Sequence, residues 1–186
     1  MSNHALPAGE PSDEHLMQRV QRGDLGALGT LYARHHRRVH ALCYRLTGDV
    51  TAADDLMQDS FLRVMRYGRG FKAEARFGTW LHRLVRNVCF DHMSAAKRER
   101  ERQRHLALHR DGPDLSDDDE RLDLVREALY RLPPEKREVL VLSRYGNLKY
   151  KEIAEICQVT VDTVKMRAHR AMRDLRRIFE ELEQQA

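Results

Sequence analysis

Apolar residues recur at intervals of three and four along this chain, over stretches far too long for strands, and that periodicity restricts it to helices packed on helices. Leu25, Leu28, Leu31, Tyr32, Val39, Leu42, Cys43 and Leu46 mark one such helix, opened by Asp24 and closed by Gly48. A shorter helix precedes it, with Ser12 as N-cap, Leu16, Met17 and Val20 as its stripe, and Gly23 at its end. Thr51 with Asp54 opens a third, in which Leu56, Phe61, Leu62 and Met65 are expected to face inward. A fourth runs from about Thr79 through Trp80, Leu81, Leu84, Val85, Val88 and Phe90 toward Lys97. These four helices compose a first domain over residues 14–97.

The periodicity then breaks. Lys97 to Arg104 is densely charged, and the stretch to Asp119 contains Gly112 and Pro113. Asp111, Asp114, Asp117, Asp118, Asp119 and Glu120 follow one another with no basic residue between them. Residues 98–119 therefore read as a flexible linker, with a helical extension possible at its start, and a second domain occupies 120–186. Leu122, Val125, Leu129 and Leu132 mark its first helix, which Pro133 and Pro134 end while starting the next, Glu135 to Arg144. The expected fold is all-α, with two small helical domains joined by that linker. A hydrophobic content of 41% in 186 residues supplies a core for each.

The end of the chain carries the sharpest motif. Tyr150 to Ile156 predicts a short helix, Cys157 to Val159 a tight turn, and Thr160 the cap of a long helix reaching about Glu183. Ile153, Cys157, Val159 and Val164 are the apolar positions that lock two helices steeply, and Ala154 is small where they cross, which is the pattern of a helix-turn-helix. Two positions depart from it: Gln158 stands where a glycine would relieve a positive φ, and Lys149 where a capping Ser or Thr is expected. Val161, Val164, Ala168, Leu175, Ile178 and Leu182 form the inner stripe of the second helix. Between Val159 and Arg177 six basic residues face two acids, a local +4 that equals the net charge of the whole chain. Such a helix enters a major groove, its early side chains reaching base edges and its later ones phosphates. Thr160, Thr163, Lys165, Met166, Arg167, His169, Arg170 and Arg173 are the candidate DNA contacts.

Other chemistries find little support. No phosphate-cradling Gly-Lys-Ser loop, nucleophile-elbow serine or paired catalytic carboxylates occur, so neither an enzyme nor a cofactor is expected. His36, His40 and Cys43 share a helix face, and Cys89 and His92 stand three apart, but core cysteines and surface histidines are the simpler reading. The three cysteines are odd in number and far apart, as in reduced cytosolic proteins. No segment reaches the length of apolar residues needed to insert in a membrane, and a cytoplasmic location is expected.

With the first domain set beside this motif, the chain resembles the extracytoplasmic-function (ECF, group IV) sigma factors of bacterial RNA polymerase over about Glu14 to Arg177. Ala52-Ala53-Asp54-Asp55-Leu56-Met57-Gln58-Asp59-Ser60-Phe61-Leu62-Arg63-Val64 is similar to the family's helix that grips the polymerase clamp helices. Phe71 to Phe77, followed by Gly78-Thr79-Trp80-Leu81-His82-Arg83-Leu84-Val85-Arg86-Asn87-Val88, is similar to its loop and helix for the downstream promoter element. Leu132-Pro133-Pro134-Glu135-Lys136-Arg137-Glu138-Val139 and Tyr150 to Arg173 resemble the domain for the upstream element.

The resemblance implies core polymerase, promoter DNA and a cognate anti-sigma factor as partners. It implies polymerase contacts at Asp54, Asp55, Gln58, Asp59, Phe61 and Arg63. Downstream-element contacts fall at Lys72, Glu74, Arg76, Arg83, Arg86 and Asn87, with Asn87 in the position that lines the family's base-capture pocket. Promoter opening without ATP needs an unstacked base held by contacts of this kind. Phe77 and Trp80 read more simply as core anchors. The acidic linker is either a mimic of nucleic acid within the polymerase channels or a solvated tether. The competing reading is a stand-alone helix-turn-helix regulator that senses a ligand in its first domain.

Overall fold

The computed structural model describes residues 10–72, 75–104, 120–146 and 148–185. The first domain consists of α1 (Asp13–Gln21), α2 (Leu25–Thr47), α3 (Val50–Tyr67), a 3₁₀ turn (Gly68–Gly70) and α4 (Phe77–Arg104). The second consists of α5 (Glu120–Arg131), α6 (Pro134–Arg144), α7 (Tyr150–Cys157) and α8 (Val161–Glu183). The all-α, two-domain expectation is met. Helix α4 continues to Arg104, so the first seven residues assigned to the linker are helical, and residues 105–119, including most of the acidic run, lie outside the described residues.

Capping side chains set the helix starts. Ser12, Asp24 and Asp49 each accept a hydrogen bond from the backbone N–H three residues on, at 3.2, 3.1 and 2.9 Å. Helix α3 thus begins at Val50 under Asp49, one residue before the expected Thr51, because the Asp49 carboxylate satisfies the free N–H of Ala52. Gly48 ends α2 at φ 76°, the left-handed cap that glycine adopts without strain.

The core of the first domain lies where α2, α3 and α4 meet. Leu31, Leu46, Val64, Phe77, Leu81 and Val85 are fully enclosed there. Not every periodic apolar residue turns inward. Leu62 and Met65 are exposed, contrary to expectation, and so are Leu25 and Tyr32, since all four lie on the sides of α2 and α3 that no other described helix covers. In the second domain Leu122 and Val125 are likewise exposed, and α5 packs instead through Ala128 and Leu132 on Leu140, Ala171, Ile178 and Leu182.

The two domains pack against one another. α6 lies on α2, α5 on α2, and α7 on α4, and the buried residues of both domains form one continuous cluster. The ring of Tyr130 lies so close to Gly48 that any Cβ there would run into it. The Arg45 guanidinium stacks over the Tyr145 ring at 4.0 Å. From the buried Arg137, a guanidinium nitrogen reaches Met93 Sδ at 3.6 Å and another donates to the carbonyl of Tyr130 at 3.1 Å.

A charged clasp ties α1 to α2. Asp13 accepts from Arg34 at 2.8 Å and lies 2.7 Å from His35 Nε2. Burial pushes the Asp13 carboxyl up, but the hydrogen bonds from His35 and Arg34 outweigh it and hold the group below its ordinary value. A carboxyl depressed in the folded state contributes stability above its unfolded pKa and loses it as pH falls through the folded one. Replacing Asp13 by Asn is therefore expected to lower stability at neutral pH by roughly 1–3 kcal/mol. In thermal melts across pH, the gap between variant and parent should close below about pH 4.

Candidate nucleic-acid and protein interfaces

The second domain presents its long helix through a steep turn. Helix α7 ends on Gln158 at φ 56°, ψ 44°, the only non-glycine residue in the left-handed region among those described. This is the strain expected from the sequence, and it aims the chain into the next cap. The Thr160 hydroxyl accepts from the N–H of Thr163 at 3.1 Å and lies 2.8 Å from its hydroxyl, so both threonine side chains serve the start of α8. In place of a Ser or Thr at the head of α7, the Glu152 carboxylate accepts from the N–H of Lys149 at 2.8 Å.

Along α8, Val164, Ala168 and Ala171 are buried, whereas Lys165, Met166, His169, Arg170 and Arg173 are exposed and Arg167 is half-buried. Lys165 pairs with Asp162 at 3.1 Å, both largely solvated, and Arg173 Nε lies 3.8 Å from Asp174. Solvated contacts of that kind contribute little and exchange readily for a phosphate or a base edge. The result is a basic ridge on the side of α8 opposite the core.

The first domain carries a second cationic face, at the start of α4. Phe71, Phe77 and Trp80 form an aromatic cluster with centroids 5.4 to 6.1 Å apart, which anchors the loop before the helix. Phe77 is completely buried and Trp80 half-buried. Lys72, Arg76, Arg83 and Asn87 are exposed around this anchor, and Glu74 lies outside the described residues. Arg86 differs from the others. Its Nε donates to Glu138 of α6 at 2.6 Å, another of its nitrogens reaches Asn87 Oδ1 at 3.3 Å, and its guanidinium covers the Phe90 ring at 4.3 Å. Arg76 and Thr79 both point to Glu152 of α7, at 3.5 and 3.4 Å. A cleft of about 470 Å³ opens here between the domains, lined by Arg76, Trp80, Arg83, Lys149, Lys151 and Glu155 among others.

A third face is built by α3. Asp54, Asp55 and Gln58 are exposed, and Asp59 and Arg63 are half-buried, paired with each other at 3.1 Å. Asp54 lies 3.3 Å from His40 and Arg63 3.3 Å from Asp91. Phe61 does not belong to this polar surface: it is buried, edge-on to Tyr32 at 4.9 Å. One side of its ring lines a groove of about 450 Å³ with Leu25, Leu28, Tyr32, Leu62 and Met65, of which Leu62 and Met65 were expected to face inward.

The histidines and cysteines do not converge. His36 stacks on Tyr32, His40 turns to Asp54, and Cys43 is enclosed where α2 meets α4. Among the described residues no three potential metal ligands come together. The hydrogen bond to Cys43 and burial push the Cys89 thiol far up, and burial beside Glu138 pushes Cys157 up to about 12. Both thiols are thereby held in the unreactive neutral form.

The comparisons with known proteins follow the same division. Residues 31–99 match the family model "Sigma-70 region 2" and residues 122–175 match "Sigma-70, region 4". The chain is 36% identical to the ECF RNA polymerase sigma factor SigE of Mycolicibacterium smegmatis, covering 90% of this chain and 69% of that protein. It is 34% identical to the ECF RNA polymerase sigma factor SigM of Mycobacterium tuberculosis, with coverages of 91% and 86%. In fold it is similar to CnrH, solved in complex with the cytosolic domain of CnrY, at a TM-score of 0.70 and 24% identity over 92% of this chain and 99% of that one.

The turn between α7 and α8 yields a direct test of its strain. Replacing Gln158 by Gly removes the Cβ that disfavours a positive φ, while loosening the unfolded chain. The net gain should be roughly 0.5–1 kcal/mol, read as a rise in the thermal midpoint. A midpoint that stays level or falls would show that the Gln158 side chain contributes more than its backbone strain removes.

Proposed function

Because the chain belongs to the ECF RNA polymerase sigma factors, we propose that it acts in the cytoplasm as one of the compact, group IV type, directing core polymerase to specific promoters. The observation that carries this reading is the basic ridge of α8, exposed opposite a buried seam and capped by Thr160 at the turn of a helix-turn-helix. Lys165, Met166, His169 and Arg170 occupy its first three turns and read bases of the upstream element, whereas Arg173, Arg176 and Arg177 follow phosphates.

At the downstream element, Lys72, Glu74, Arg76, Arg83, Arg86 and Asn87 hold the opened strand, with Asn87 beside the captured base. Core polymerase docks on Asp54, Asp55, Gln58, Asp59 and Arg63, and the adjoining groove around Phe61 and Tyr32 receives an apolar side chain of the partner. A cognate anti-sigma factor restrains the chain until it is needed. The support for that partner is the similarity to CnrH and to the sigma factor RpoE of Bartonella quintana, the latter solved in complex with the anti-sigma factor NepR.

Fluorescence anisotropy on promoter DNA, with and without core polymerase, tests the reading as a whole. Tight, specific binding is expected only with core, and equally tight binding by the chain alone would instead favour a stand-alone regulator. Reversing Asp55 and Asp59 to Lys should weaken core binding at least roughly tenfold while leaving the fold intact, because the two carboxylates hold nothing in the interior. Within the complex, Arg170→Ala should lose roughly 1–3 kcal/mol on the cognate upstream element and relax its base preference. Arg176→Ala should weaken cognate and scrambled elements alike and flatten the salt dependence by about one phosphate contact.

A further inference from the structure

Helix α1 turns three side chains of one face onto the segment that leads into α4. Glu14, Met17 and Gln21 stand three and seven residues apart, which on a helix places them in one row. Gln21, half-buried, uses both hydrogens of its amide at the start of the segment: Nε2 donates to the carbonyls of Gly68 and Phe71, each at 2.8 Å. The tip of the buried Met17 lies against Gly68, in the space that a Cβ there would need. Glu14 holds the other end, its Oε1 accepting from the N–H of Phe77 at 2.9 Å.

The local chain supplies little of this. Phe77 is the first residue of α4, and its N–H is one of the four that a helix leaves unpaired at its start. Before it stands Arg76, whose carbonyl accepts from the N–H of Trp80 at 3.1 Å but whose side chain has no acceptor to offer. A carboxylate from α1 takes the place of the missing cap, and its charge suits the positive end of the helix dipole. Asp13, held by Arg34 and His35, secures α1 in turn, and the His35 ring packs on Phe77 with centroids 5.4 Å apart. Lys72 directly follows the clamped Phe71 and Arg76 directly precedes the capped Phe77, and both are exposed.

We propose that Glu14 and Gln21 are positioning residues for the downstream element: they fix the two ends of the segment that carries Lys72 and Arg76, so that these cations are in place before the opened strand arrives. This rests on the downstream-element reading given above. Neither residue acts by touching DNA. A segment released at one end must be ordered again when the strand binds, and apparent affinity falls by the fraction of molecules in which it is in place. Glu14 must accept a hydrogen bond, whereas Gln21 must donate two. Exchange of amide and carboxylate therefore acts differently at the two positions: Glu14→Gln keeps an acceptor for Phe77, but Gln21→Glu sets oxygens against two carbonyls.

The test uses core polymerase loaded with the full chain, on a duplex promoter selected by the parent complex from fragments randomised at both elements. Opening is followed by a fluorescent adenine analogue in the downstream element, and base preference by the enrichment of each base there. Gln21→Glu should open about tenfold less and lose downstream preference, while affinity for core and upstream preference stay as in the parent. Gln21→Met fills the same space without donors or charge, and should behave alike even if Gln21→Glu folds poorly. Glu14→Ala should also open less, and Glu14→Gln should restore opening to within about twofold of the parent.

Parent-like opening and downstream preference in the Gln21 variants overturn the proposal. So does a loss spread equally over core binding and both elements, which marks a merely structural role, or a Glu14→Gln variant that opens no better than Glu14→Ala. Lys72→Ala with Arg76→Ala separates the two ideas. If that pair lowers opening while the Glu14 and Gln21 variants do not, only the positioning is wrong; if the pair leaves opening unchanged, the downstream-element reading of this segment fails and the positioning with it.

Discussion

Four consecutive apolar residues in a helix cannot be buried by one neighbour. Val139, Leu140, Val141 and Leu142 follow one another at about 100° and so point around the whole circumference of α6. Leu140 finds cover among α5 and α8, while Val139, Val141 and Leu142 join the cluster that is continuous with the first domain. The rest of the arrangement depends on that requirement. It brings Tyr130 onto Gly48, and it carries Glu138, next in line before the apolar run, into a buried place where its charge needs a cation beside it. Arg86 is that cation.

Much of the fold was legible because helix signals are local. Ser12, Asp24 and Thr160 cap helices where their side chains predict, Gly48 closes α2, and Gln158 takes the positive φ that its position in the turn demands. Periodicity, however, reports which residues share a face and not whether anything covers it. Leu25, Tyr32, Leu62 and Met65 share faces with core residues yet remain exposed, because coverage is decided by helices distant in sequence.

The candidate contacts divide along the same line. Lys165, Arg170 and Asp55 are exposed as their helical phase requires, since a charged residue opposite an apolar stripe has nowhere else to go. Phe61 was harder to place, being part of the core and of a groove at once. The pairing of Arg86 with Glu138 joins residues 52 apart through side chains alone, and the apolar run after Glu138 is its only trace in the sequence. A turn of helix that is apolar on every side announces a second neighbour without naming it.

The length of α4 has a metrical consequence. Its 28 residues make a rod of about 42 Å whose first three turns carry Arg83, Arg86 and Asn87 and whose far end, Arg104, is where the chain departs for the second domain. From Arg104 to Glu120 there are sixteen residue steps, which even fully extended cover no more than about 55 Å. At about 3.4 Å per base pair, that contour corresponds to about sixteen base pairs of duplex. The covalent chain is thus a ruler as well as a tether, and its contour bounds the gap that can open between the end of α4 and the start of α5.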